Sequence, residues 1–129
     1  MSSDREASAE STSVARSVLD GDVWVLGLQG DFDAGTEAIE TVQEAVARAL
    51  EAFDGPLIID LSLVGFCDSA LLNLLIRTAR HRRLALTGCG PLVQRLLDVT
   101  GLAGHLPQYS SLAQARAAVI AGQPPAASA

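Results

Sequence analysis

Hydrophobic positions along the chain alternate between two spacings, one suited to strands and one to helices. Val14 to Leu19 and Val23 to Leu28 are short strand-favouring runs separated by Asp20-Gly21-Asp22, a turn signal that predicts a hairpin. After "QGDFDAG", Ile39, Val42, Val46, Ala49, Leu50 and Phe53 recur at three- and four-residue steps. That spacing lays one apolar stripe along a helix from about Thr36 to Ala52, ended by Asp54-Gly55-Pro56. The run "LIID" is continuously apolar until Asp60, as expected of a central strand covered on both faces. A loop follows, and the next helix begins at Ser69. "LALTG" after Arg82-Arg83 is another short strand. Pro91 can open a helix through "LVQRLLDVTG", because its missing N–H is no loss at a first helical position, and Gly101 is placed to end it. "HLPQY" predicts a weak edge strand, and Ser110 or Ser111 caps a last helix through Ile120. The order β-β-α-β-α-β-α-β-α predicts an α/β sheet of about five strands and four helices, with mostly right-handed crossovers.

The two ends break this pattern. Residues 1 to 13 are Ser, Ala and acid without apolar periodicity, and "GQPPAASA" after Ile120 combines breakers with small residues. Neither stretch buries enough apolar surface to offset the entropy of ordering, so both are expected to be disordered tails around a folded span of 14–120. With 129 residues, 49% hydrophobic and 19% charged, the chain suits one domain with a real core. No apolar run reaches the ~20 residues that span a bilayer, and the polar start "MSSDREASAESTS" is unlike a signal peptide, so a cytoplasmic protein is expected.

Charge narrows the partners. Nine basic residues, all arginine, stand against fifteen acidic ones for a net charge of -6, which repels duplex DNA and anionic membranes. Cys67 and Cys89 lack metal-type spacing and are expected to be reduced, partly buried thiols rather than a disulfide.

Most catalytic readings fail on geometry. A serine nucleophile needs a base in hydrogen-bond reach, and the only histidines are His81 and His105. His81 lies some twelve residues along the same predicted helix as Ser69, about 18 Å away at the usual rise. His105 is distant in sequence, and Ser69 has neither a GxSxG elbow nor a Gly-rich oxyanion loop. Cys67 near a helix start could be an activated thiol, though a buried one is commoner. A lysine-free chain cannot build a phosphate-binding GxxxxGKS loop, and "GCGP" is too short for a dinucleotide fingerprint. The acidic pairs 20/22 and 31/33 lack the rest of a calcium loop. No metal, no cofactor and no enzymatic activity are expected.

What remains is Asp68-Ser69. Either residue can cap the apolar helix that follows. A helix start also carries free N–H groups and a positive dipole end, which accommodate an added phosphate, while the Asp68 carboxylate opposes it. Leu71, Leu72, Leu74, Leu75, Ile76 and Ala79 cover more than one side of that helix. Either both sides are buried, or one of them, around Leu71 and Leu74 or Leu75, is a docking surface.

At these residues "LIIDLSLVGFCDSALLNLLIRTAR" resembles the central signature of STAS domains of the anti-sigma-factor antagonist class, in which a strand ending in Asp leads through a short loop to Asp-Ser and a helix. "LQGDFDAGT" is similar to the family's turn after the second strand, with Gly30, Phe32 and Asp33 in corresponding places. "VQRLLDVTGLAGHLPQYSSLAQA" is similar to its late helix, Thr-Gly-Leu turn and final strand-helix unit. The resemblance implies the STAS fold, a mixed sheet with helices packed on it. It further implies phosphorylation of Ser69 by an anti-sigma factor with a histidine-kinase-like ATPase fold, reset by a serine phosphatase. The unphosphorylated form would hold the anti-sigma factor and so release a sigma factor for transcription. Partner contact is implied for Asp33, Asp68, Ser69, Leu71, Leu72 and Leu75, with the protein a monomer or weak dimer. Where the family continues Asp-Ser-Ser-Gly-Leu, this chain has Ala70 and Leu71. A STAS scaffold in stress signalling, or a subunit of a lipid or anion transport complex without Ser69 phosphorylation, is the alternative.

Overall fold

The computed structural model describes residues 13–32 and 36–121. Among them the order is β1 (Val14–Asp20), β2 (Val23–Phe32), α1 (Thr36–Ala52), β3 (Leu57–Cys67), α2 (Ser69–Ala79), β4 (Leu84–Thr87), α3 (Pro91–Thr100), β5 (Gln108–Tyr109) and α4 (Leu112–Ala121). This is the order the spacing of apolar residues predicts. The strands form one sheet in the sequence β1-β2-β3-β4-β5; β1 pairs antiparallel with β2, and the other neighbours are parallel. Because each crossover steps the same way across the sheet, crossovers of one hand put their helices on one face. The apolar side chains of α1, α2 and α3 accordingly share one core with Leu26, Leu28, Leu57, Ile59, Leu61 and Leu86. The last helix follows the last strand and covers the opposite face, where Ala115 and Val119 meet Val23, Val25, Ile58 and Ala85.

Local signals account for the helix ends. Pro91 stands at the first turn of α3, and Gly101 ends it with a left-handed backbone (φ 76°). The Ser111 hydroxyl accepts from the Gln114 N–H at 3.1 Å at the start of α4. The Arg82 guanidinium donates to the carbonyls of Phe53, Gly55 and Leu50 at 2.6, 2.9 and 3.2 Å. It thereby closes the end of α1 with a charge suited to a helix C-terminus.

Three boundaries differ from the sequence expectation. Ser13, placed in the N-terminal tail, is buried and its carbonyl accepts from the Gln29 N–H at 2.9 Å. The stretch "QGDF" is the end of β2 rather than a loop. Most importantly, β3 does not stop at Asp60 but runs to Cys67, and the loop expected before α2 is strand. Asp60 ends only the pairing with β4, opposite Thr87; pairing with β2 continues through Phe32 and Cys67.

That extension is irregular in an informative way. Gly27 faces Asp60, Gln29 faces Leu63, Gly30 faces Val64 and Asp31 faces Phe66, so β3 gains an extra residue on β2 at each of two bulges. Each bulge shifts the inside-outside alternation by one position. Leu61, Val64 and Cys67 are therefore buried at three-residue steps with exposed pairs between them, and a strand carries a spacing that reads as non-strand. Gly30 takes a positive φ of 98° at the second bulge, a conformation that costs glycine little.

Candidate functional site

The paired ends of β2 and β3 project past β4 and deliver the chain into α2. The N–H of Asp68 donates to the carbonyl of Phe32 at 2.8 Å, and the Phe32 side chain is buried in the core. Asp68 is extended (φ −107°, ψ −171°), and its Oδ1 accepts from the Ala70 N–H at 3.0 Å. It is the N-cap of α2, held by its neighbour strand and by the helix it starts. Of the two residues able to cap, Asp68 does so.

Ser69 becomes the first helical residue. It is exposed, and its hydroxyl has no hydrogen-bond partner among the described residues. A free hydroxyl beside a satisfied cap, at the positive end of a helix, is chemically an acceptor for an incoming group.

The helix beneath is core on more than one side. Leu71, Leu72 and Leu75 are all 0% exposed and Leu74 is 6% exposed, packed among side chains from α1 and β3. Between the two sequence alternatives for this wide stripe, burial holds. Leu71, Leu72 and Leu75 are not a docking surface, because α1 and the sheet cover them before a partner could. Leu71, where the resemblance implies glycine, is a core side chain. Asp33 lies outside the described residues.

The sequence reading missed the apolar surface next to this site. Leu63 and Phe66 on the β3 extension are 62% and 43% exposed, and Phe66 stands three residues before Ser69. Ending β3 at Asp60 hid them; the signal that could have shown them is the apolar content of "LSLVGFC" itself.

Among the described residues, the thiols nearest the site are not activated. Burial, then the neighbouring Asp68 carboxylate and Cys89, push the Cys67 thiol from the usual 9.0 up to about 11. Burial does the same for Cys89. Both are free thiols, and a raised pKa is the opposite of what a nucleophile needs. His81 and His105 are exposed, one just past the end of α2 and the other before β5. Among the described residues no cluster of His, Cys, Asp or Glu could hold a metal ion, and no helix is long and apolar enough to cross a membrane.

A mixed five-stranded sheet, helices on both faces, and a serine presented at the start of the second helix define a small α/β domain that offers a hydroxyl at its surface. Residues 16–117 match the family described as Mlab, STAS domain, and the chain belongs to that STAS family. No curated protein matches the chain. Among solved structures it is similar to an anti-sigma factor antagonist from Mycobacterium paratuberculosis, at 26% identity and a TM-score of 0.73, covering 86% of this chain and 96% of that one. It is also similar to a putative anti-sigma factor antagonist from Thermotoga maritima, at 20% identity and a TM-score of 0.72, over 81% and 93% of the two chains. A third is the Bacillus cell fate determinant SpoIIAA in its phosphorylated form, at 18% identity and a TM-score of 0.59, over 81% and 97%.

Proposed function

We propose that this protein is an anti-sigma factor antagonist, switched off by phosphorylation of Ser69. The observation that carries the reading is the exposed hydroxyl of Ser69, without a hydrogen-bond partner among the described residues, at the first position of α2, immediately after the Asp68 cap. The similarity to a structure described as an anti-sigma factor antagonist, and to the cell fate determinant SpoIIAA in its phosphorylated form, supports it. The kinase is an anti-sigma factor with a histidine-kinase-like ATPase fold, and a serine phosphatase resets the switch. The protein is its substrate and binding partner, with no catalytic residue of its own, and acts in the cytoplasm.

Phosphate adds about -1.5 to -2 charges beside the Asp68 carboxylate, and an interface fitted to neutral serine loses ~2 kcal/mol, roughly thirtyfold in affinity. In this reading the partner contacts Asp68, Ser69 and the exposed Phe66, with Asp33 as a further contact. Leu71, Leu72 and Leu75 hold α2 in place beneath them.

The test is incubation with ATP and the kinase-like partner, read by intact mass. One added phosphate on the wild type, none on Ser69→Ala, and lost partner binding in Ser69→Asp are expected. No phosphate on the wild type, together with undiminished binding by Ser69→Asp, overturns the switch. One observation favours a second reading, a STAS scaffold or transport-complex subunit without phosphorylation: the motif departs from Asp-Ser-Ser-Gly-Leu at Ala70 and Leu71. That overturning result would select it.

A further inference from the structure

The edge strand β1 carries its charges in a self-complementary order. The hairpin closes on Gly21-Asp22 with Asp20 opposite Val23, and Gly21 has φ 65°. A glycine with positive φ at the first of two turn positions is the II′ arrangement, which fits the twist of its flanking strands and closes on a hydrogen-bonded pair. Alternation along an antiparallel ladder then makes Val18 with Val25, and Arg16 with Gly27, the other bonded pairs. Ser17 and Leu19, opposite Leu26 and Trp24, fall at the non-bonded positions, so their N–H and C=O groups point away from β2 toward the open edge.

Arg16, Val18 and Asp20 project to one face of the strand, by the period of two. Val18 and Leu19 are 43% and 48% exposed. A strand of this length with free backbone groups is a template for another strand; β5, at the opposite edge, has only two residues.

We propose that β1 pairs antiparallel with β1 of a second copy, centred on Val18, and joins two sheets into one. Ser17 of each copy then exchanges backbone hydrogen bonds with Leu19 of the other, using the groups the hairpin leaves free. Arg16 of each copy stands opposite Asp20 of the other, at non-bonded positions where facing Cα atoms are about 4.5 Å apart. Centring the pair on Ser17 sets Arg16 against Val18 instead, and centring it on Leu19 sets Arg16 against Asp22 in the turn. Only the Val18 centre matches opposite charges twice within the strand. The existing contacts leave room for this: Arg16 reaches Asp60 at 3.7 Å while 47% exposed, and Asp20 meets Arg116 at 3.2 Å through one carboxylate oxygen. A two-fold interface of this kind closes on itself. It involves neither the end of β3 nor α2, and so stands apart from the reading of Ser69.

Sedimentation equilibrium of the full chain over a wide concentration range tests it. The wild type is expected to dimerise. Arg16→Asp alone and Asp20→Arg alone each set like charges opposite one another twice, which weakens the dimer about tenfold. The double variant Arg16→Asp/Asp20→Arg restores it. Leu19→Pro removes an outward N–H that β2 does not use, and abolishes the dimer while circular dichroism shows the fold retained. A wild type of single-chain mass at millimolar concentration overturns the proposal, whether residues 1–12 or another protein holds this edge. So does a dimer that tolerates Leu19→Pro, or one whose single charge reversals the double variant does not rescue.

Discussion

The backbone of Asp68 is tied to that of Phe32 by a 2.8 Å hydrogen bond, so the residue that caps α2 is fixed to the end of the neighbouring strand. Ser69 inherits this rigidity. Its hydroxyl is presented by a cap and two paired strands, not by a loop.

The cap is expected to be measurable. Asp68→Ala leaves the Ala70 N–H without its acceptor and lowers stability by about 1 kcal/mol, whereas Asp68→Asn, which keeps a capping oxygen, is expected to cost only a few tenths. Urea denaturation of the two variants against wild type separates them; equal losses would mean that the carboxylate charge, not the cap, is what matters.

Ser69 itself is expected to be nearly silent in stability. Its hydroxyl has no partner to lose among the described residues, so Ser69→Ala stays within about 0.5 kcal/mol of wild type. A thermal melt is sufficient to check this, and a large loss would show that the hydroxyl is structural.

Leu71 is expected to behave as a core residue. Leu71→Ala removes a fully buried side chain and costs about 2–5 kcal/mol, while Leu71→Met, close in volume, costs under about 1.5 kcal/mol. Denaturant midpoints measure the stability, and partner affinity of the folded Met variant is expected to match wild type. Reduced affinity with unchanged stability would return Leu71 to the surface.

Arg82 joins the end of α1 to the approach to β4 through three carbonyls. Arg82→Ala removes charge-assisted bonds and lowers stability by about 1.5–3 kcal/mol, and Arg82→Lys recovers only part, because a single ammonium cannot fork to three acceptors as a guanidinium does. Chemical denaturation reads both.

Alkaline pH is expected to weaken the fold through the cysteines. Their folded pKa is raised from the usual 9.0 to about 11, so above pH 9.0 the unfolded chain gives up thiol protons that the folded chain keeps. The stability they contribute is complete below pH 9.0 and is lost as pH rises through about 11. Urea midpoints from pH 8 upward should fall across this window, and more shallowly in Cys67→Ala/Cys89→Ala. Identical slopes would remove the thiols as the cause.

Where a single periodicity governed a segment, its structure was legible in sequence. The α1 stripe from Ile39 to Leu50, the Pro91 start and Gly101 stop of α3, and the Asp20-Gly21-Asp22 hairpin all follow from local chemistry, and the order of elements follows from them. Residues 61–67 were not legible, because two bulges convert the strand period into three-residue steps and because Asp60, a polar residue in a central strand, resembles an end. The wide apolar face of α2 had two meanings in sequence, and only its packing against α1 and β3 selected burial. Asp68 and Ser69 were legible as two possible caps; which of them caps was not, and the backbone bond that ties Asp68 to Phe32, thirty-six positions away, is a contact that no local pattern encodes.

The two extra residues of β3 also act as slack. Gly65 has no partner on β2, so deleting it would leave Phe66 opposite Asp31 and Cys67 opposite Phe32, and Cys67 would keep its inward place by plain alternation from Val64. Asp68 and Ser69 would then follow at the same places. The direction in which the serine is offered to the outside is thus set where the two strands end together, at Phe32 and Cys67, while the bulges absorb differences in chain length before that point.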